Sequence, residues 1–308
     1  MGTGEAVCGT TRKKSPPKKH NQLGETMGKH SIRNLIRICM LALGAFAWSA
    51  QAQQPIKTGV DATFAPHAMP KLGGGLEGFN IDLGNEIAKR LRRPIEIDGT
   101  EYSALIPGMN AKKYDFILAP TTATPERAKQ MLFSEGYMET DYRFLQKKND
   151  KAIASLDDLK GKTISLNKGS AYEAWARQNA DKYGFKFDVY GNNADAVQAV
   201  LSGRADANLA GHTVAMWAAK QNAQLKTSYT YKTGLVWALA FRLDDKAGRA
   251  QINMMIKCMK QDGTIAKLHE KWFGEAPTAD SWSRKIAPGH GVPELPGYDA
   301  APVALKCS

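Results

Sequence analysis

The chain has 308 residues, 43% of them hydrophobic, which is enough for one large domain or two ordinary ones and excludes global disorder. Its formal charge of +12 suggests a nucleic-acid partner. However, residues 1–52 hold Arg12, Lys13, Lys14, Lys18, Lys19, Lys29, Arg33 and Arg37 against only Glu5 and Glu25. The remaining 256 residues carry +6, a mildly basic soluble surface that argues against nucleic-acid binding.

The basic start belongs to an export signal. Lys29, Arg33 and Arg37 precede an apolar run at 38–48, and Ala50-Gln51-Ala52 supplies the small-x-small pattern read by a signal peptidase. The run is too short to span a bilayer comfortably, and no Cys follows it directly for lipid attachment. The signal is complete from Met27, which leaves residues 1–26 surplus. The mature chain is expected to begin near Gln53, in the periplasm. Cys8 and Cys39 would leave with the leader. Cys258 and Cys307 remain as an even pair in an oxidising compartment. They form either a disulfide tying the tail to a helix or two free thiols. With no accompanying His they do not make a zinc site, and no metal or cofactor is expected.

From residue 56 onward, short β-rich runs alternate with amphipathic helical patterns, the signature of α/β architecture. A strand at 56–60 is followed by Leu83, Ile87 and Leu91 at i, i+4, i+8, a helix with one apolar stripe. Strands at 95–97 and 114–118 flank a helix beginning over 102–109. The cycle then repeats: a short helix at 155–160, a strand at 162–166, a helix opened by Gly169-Ser170, a strand at 186–190, a helix at 194–201 and a strand at 205–210. Two strand-like runs, 142–147 and 235–243, bracket this second set. They read as two crossings between lobes, with hinge bending near Lys147 and 235–238. Lobe one is then 53–143 with 238–308, and lobe two is 144–237. Helices at 251–260 and 265–272 finish lobe one, and the Pro/Gly-rich residues 274–308 lie on its surface as a tail. Such an arrangement places a ligand cleft between the lobes, where helix N-termini and strand carboxyl ends converge.

The chemistry concentrates at 115–127 (DFILAPTTATPER). A strand ends in a polar turn and a helix begins at once, with Thr124 as N-cap and Pro125 at its first position. Hydroxyls on Thr121 and Thr122 and the Arg127 guanidinium make an anion receptor, because guanidinium grips a carboxylate with two parallel hydrogen bonds. The alternative is that Arg127 decorates the helix and pairs with Glu126 or Asp141.

The segments 58–66 (TGVDATFAP), 76–83 (LEGFNIDL), 105–109 (LIPGM), 114–118 (YDFIL), 124–127 (TPER), 155–161 (SLDDLKG), 167–170 (NKGS), 203–207 (GRADA) and 271–274 (KWFG) occur in one order. That series resembles the polar amino acid-binding family of ABC-importer solute-binding proteins, family 3, over residues 56–274. The resemblance implies the two-lobe periplasmic-binding-protein fold (type II). It also implies a small carboxylate-bearing, amino-acid-like ligand, an ABC permease partner in the inner membrane, and a monomer with no catalytic residues. By position it implies that Arg127 clamps the ligand carboxylate, helped by Thr122 and by Ser170 with the adjacent Ala171. Phe64 and Tyr102 would sandwich the ligand side chain. Asp61 would pair with a cationic one.

Three positions depart from the family pattern. Its usual acid for the α-ammonium falls at Gly211, followed by His212, and Ala119-Pro120 stands at the strand end where relatives often carry a small hydroxyl residue. Pro removes one backbone donor. A buried ammonium without an acid is costly. Either Asp61 or Glu173 substitutes, or the ligand has no free α-amine. Trp237, on the return crossing, is a candidate cleft wall. His67 lines the cleft or sits on a loop, and His212 either donates to the ligand or caps a helix. Two other functions compete: a cyclohexadienyl dehydratase-like enzyme, disfavoured because 233–238 offers no carboxylate for general acid work, and a periplasmic sensor or accessory that feeds no transporter.

Overall fold

The computed structural model describes residues 53–307. The export signal, its cleavage near Ala52, Cys8 and Cys39 lie outside the described residues. In chain order the strands are β1 (Ile56–Asp61), β2 (Met69–Pro70), β3 (Leu76–Glu77), β4 (Ile95–Thr100), β5 (Phe116–Thr122), β6 (Leu132–Phe133), β7 (Met138–Glu139), β8 (Tyr142–Lys147), β9 (Thr163–Asn167), β10 (Lys186–Tyr190), β11 (Ala207–Gly211), β12 (Leu225–Tyr231) and β13 (Val236–Phe241). The α-helices are α1 (Phe79–Leu91), α2 (Tyr102–Asn110), α3 (Pro125–Ala128), α4 (Ala171–Tyr183), α5 (Asn193–Leu201), α6 (His212–Gln221), α7 (Lys246–Gln261) and α8 (Thr264–Phe273).

Eleven of these strands build two mixed sheets, one per lobe, in an α/β fold, and β2 and β3 pair separately as an antiparallel ribbon. The first has the order β4-β1-β5-β13-β6, with β7 also on β13. Its β1, β4 and β5 run parallel, and β13 returns antiparallel beside β5. The second has the order β10-β9-β11-β8-β12, parallel through β10, β9 and β11 and antiparallel at β8 and β12. All residues of β5 and β13 are buried, as expected for central strands covered on both faces. Helix α1 buries Leu83 and Ile87 of the stripe expected from the sequence, with Phe79 one turn earlier, whereas Leu91 is only half-buried; the helix ends on Arg92 in the left-handed region at φ 52°.

The chain passes between lobes at 140–141, from β7 to β8, and again at 232–235, from β12 to β13. The two passages are bound to each other. Thr140 donates its N–H to Leu235 O (3.0 Å), Thr233 Oγ1 donates to Thr140 O (2.8 Å), and Lys232 Nζ reaches the Asp141 carboxylate (2.5 Å). Lys147, expected near the hinge, instead ends β8 at the far side of sheet two, paired with Leu225.

The segment 155–160 is a 3₁₀ turn, Leu156–Leu159, with Ser155 and Asp158 capping reciprocally. Strand β12 escaped the sequence reading because it is a half-buried edge strand of mostly polar residues. Its propensity signal is weak without the neighbouring strand.

The tail packs on lobe one through polar contacts and one covalent tie. Lys257 Nζ donates to Ala287 O and pairs with Glu135 at 2.5 Å, and Lys260 pairs with the same carboxylate at 2.7 Å. All three side chains are buried. Burial pushes the Lys260 ammonium down to about 8. Cys258 and Cys307 form a disulfide with a Cα–Cα distance of 5.4 Å.

Candidate functional site

A small cavity lies between the lobes. Lobe one contributes Asp61, Phe64, Tyr102, Ala119, Pro120, Thr122 and Arg127, and lobe two contributes Asn167, Ser170, Ala171 and Tyr172. Apart from Phe64, on the loop after β1, each comes from the carboxyl end of a strand or the first turn of a helix: β1 delivers Asp61, β5 delivers Ala119 to Thr122, β9 delivers Asn167, and α4 begins at Ala171 with Ser170 as its N-cap. The topological switch thus concentrates side chains at the seam.

Arg127 sits at that seam. Its Nη1 donates to Thr122 O (3.2 Å) in its own lobe, and its Nη2 donates to Gly169 O (2.9 Å) in the other. The guanidinium lies 5.7 Å over the Tyr102 ring, and Tyr102 Oη donates to Thr121 Oγ1 at 3.4 Å. Neither Glu126 nor Asp141 pairs with it among the described ion pairs. Thr124 Oγ1 accepts from the Arg127 N–H at 3.2 Å, confirming the cap. Helix α3 is only one turn long, so its dipole adds little, and anion binding here rests on the side chain. Opposite, Ser170 Oγ caps α4 by accepting from Glu173 N (3.2 Å). Glu173 itself braces the turn by accepting from Gly169 N at 2.7 Å and pairing with Arg177, which removes it as an ammonium partner.

Asp61 is buried and bridges the lobes. Its Oδ1 accepts from Thr63 N and Thr63 Oγ1 (2.9 and 2.8 Å), and its Oδ2 accepts from Asn167 Nδ2 of lobe two (2.8 Å). Among the described residues no Lys, Arg or His pairs with this carboxylate. Thr63 Oγ1 also accepts from Asn193 N at the start of α5 (3.1 Å), a second link across the seam.

Gly211, His212 and Trp237 do not line the cavity. Trp237 is 1% exposed and packs edge-on against Phe64 and His67 (centroids 6.2 and 4.8 Å). It fills the space beside Gly211: a Cβ there would stand 2.5 Å from the indole and 2.9 Å from Tyr172 Oη. His212 opens α6 and turns toward the hinge, where Nδ1 meets Arg143 Nη1 at 3.3 Å. Burial, then the charge of Arg143, lowers its pKa.

His67 neither lines the cleft nor lies on an exposed loop. It is fully buried, with Nδ1 3.0 Å from Asn80 Oδ1 and Nε2 2.8 Å from Thr213 Oγ1 of lobe two. Asn80 Nδ2 is spent on Leu118 O and Tyr137 Oη, so Asn80 Oδ1 accepts and the imidazole carries its proton on Nδ1.

Sequence reasoning missed two lining residues, Asn167 and Tyr172. Both flank the Lys168-Gly169-Ser170 turn, so proximity to that turn was the available signal. Burial keeps the Tyr172 phenol protonated, with its pKa raised far above the ordinary value.

The model of the bacterial extracellular solute-binding proteins, family 3, matches residues 56–275. The chain belongs to that family. Among its relatives, the arginine-binding extracellular protein ArtP of Bacillus subtilis is 32% identical over 230 residues, covering 73% of this chain and 88% of the relative. The lysine/arginine/ornithine-binding periplasmic protein of Escherichia coli is 30% identical over 253 residues, covering 80% and 97%. A solved structure of an ancestral arginine-binding protein bound to arginine superposes with TM-score 0.69 at 35% identity, covering 73% of this chain and all of that one. Its counterpart bound to glutamine gives TM-score 0.69 at 36% identity, covering 72% and 99%. This chain is therefore a solute-binding protein of the kind that serves amino-acid ABC transporters.

Proposed function

We propose that this solute-binding protein acts in the periplasm as a monomer, closes its lobes around a free amino acid and delivers it to an ABC permease in the inner membrane. Residues 142–231 move against the rest, and the paired passages at 140–141 and 232–235 bend. Arginine and glutamine head the ligands to test, because the related ancestral protein is described with each. The periplasmic location follows the Escherichia coli relative and the leader expected from residues 27–52.

The observation that carries this reading is Arg127, a guanidinium hydrogen-bonded to both lobes at the rim of the shared cavity. A carboxylate placed there is gripped only when the lobes meet, which couples binding to closure. Micromolar affinity requires about −8 kcal/mol, within reach of a clamped carboxylate between Phe64 and Tyr102. In a thermal-shift screen of amino acids, at least one should raise the melting temperature of the wild type. Arg127→Ala should abolish that shift, a loss of about 2–5 kcal/mol of binding. An undiminished shift in the variant would remove Arg127 from the site.

A specific observation favours a second reading. Gly211, where the family acid for the α-ammonium falls, is packed against Trp237, which suits a carboxylate ligand without a free α-amine. Including 5-guanidinopentanoate, arginine without its α-amine, in the same screen separates the two.

A further inference from the structure

Asn167 lines the cavity, is 2% exposed, and has only one side of its amide satisfied. Its Nδ2 faces Asp61 Oδ2 at 2.8 Å. A carboxylate can only accept, so the amide orientation is fixed: nitrogen to Asp61, oxygen away from it. That oxygen, Oδ1, is buried, and no protein group donates to it. Beside it stands Asp61, a buried carboxylate with hydrogen bonds but no cationic partner among the described residues. An amide oxygen and an uncompensated carboxylate side by side in a cavity repel a second carboxylate and attract N–H. The cation that suits the other end of the ligand is Arg127.

Resting on the proposed function, we propose that Asn167 is a specificity-determining residue: its Oδ1 accepts a hydrogen bond from an N–H donor of the bound amino acid, and the bond to Asp61 aims it. The cleft then selects for a donor-bearing ligand over an aliphatic one of similar length, because an aliphatic group would leave this buried oxygen unpaired. Two parts of an amino acid carry such N–H groups, the side-chain terminus and the α-ammonium. The selectivity assigned to Asn167 is for the shared chemistry, and the experiment separates the sources.

The test is calorimetric titration of the wild-type protein and Asn167→Leu with L-arginine, L-norleucine and 5-guanidinopentanoate. The substitution should weaken the ligands whose donor is read at least about tenfold more than those lacking it. Loss confined to arginine and 5-guanidinopentanoate assigns the side-chain terminus, and loss confined to arginine and norleucine assigns the α-ammonium. Either supports the proposal. An equal loss on all three ligands would mean that Asn167 only joins the lobes, and no loss would mean it is not read; each overturns the inference while leaving the proposed function standing. A wild-type protein that binds none of the three, nor any other amino acid, overturns the proposed function and this inference together. If Asn167→Leu fails to fold by circular dichroism, Asn167→Ser replaces it with the same readout, since its short hydroxyl cannot reach Asp61 and the ligand at once.

Discussion

Gly211 shows how one residue closes off a family solution. By the resemblance the family's acid would fall at this position, and a Cβ there would stand 2.5 Å from the Trp237 ring, so an added acid would not fit. Gly211→Asp should therefore lower the melting temperature, by overpacking worth about 1–3 kcal/mol, without improving amino-acid affinity. A variant with unchanged stability and tighter binding would show that Trp237 yields. The candidate site was legible in the sequence where a strand end and a helix start share one motif, as at Thr122 and Arg127 or Ser170 and Ala171. Asn167 and Tyr172 were hardly legible: closeness to the Lys168-Gly169-Ser170 turn was their only signal, until the opposite lobe brings Asp61 to Asn167 and the sheet of their own lobe brings Gly211 to Tyr172.

At the level of elements, the loop after β1 and the start of α6 join the lobes through His67 and Thr213, outside the ligand cavity. Burial, opposed by the hydrogen bond to Asn80 and aided by nearby His269 of α8, depresses the His67 pKa to about 3. The folded state therefore binds fewer protons than the unfolded state between about pH 3 and the unfolded value of 6.5. The contribution of His67 to stability is complete above pH 6.5 and is lost as pH falls toward 3, with a slope of up to about 1.4 kcal/mol per pH unit. His67→Gln, whose amide can donate to Asn80 and accept from Thr213, should flatten the pH dependence of the melting temperature relative to the wild type in that window. Parallel wild-type and variant curves would exclude His67 as its source. Helix α1 was readable from its own periodicity, whereas β12 needed β8 to pair with, since half-buried polar residues make a strand only when a neighbour takes their backbone hydrogen bonds.

Across the whole molecule, the tail is held on lobe one by the buried Glu135–Lys257–Lys260 cluster and by the disulfide at Cys307. Linking positions 49 residues apart restricts the unfolded chain and is worth roughly 4 kcal/mol in the chain-entropy account. Cys307→Ser should show a clearly lower melting temperature, and reducing agent should lower that of the wild type but not of the variant. A wild type insensitive to reductant would mean that the thiols are free in solution. The tail leaves the two passages between lobes unlinked to one another by any covalent bond, so closure should survive loss of the disulfide, and ligand-induced thermal shifts should persist in Cys307→Ser.

The alternation of β-rich and amphipathic runs, the register of the family motifs and the strand–turn–helix corner at Arg127 were determined by the sequence alone. They are local patterns, and each repeats the periodicity of the element it forms. Which residues face one another across the seam was decided only by the tertiary structure. Asp61 meets Asn167 over 106 positions and His67 meets Thr213 over 146. Contacts of that separation depend on how two sheets twist and where the chain crosses between them, and no window of neighbouring residues encodes that geometry.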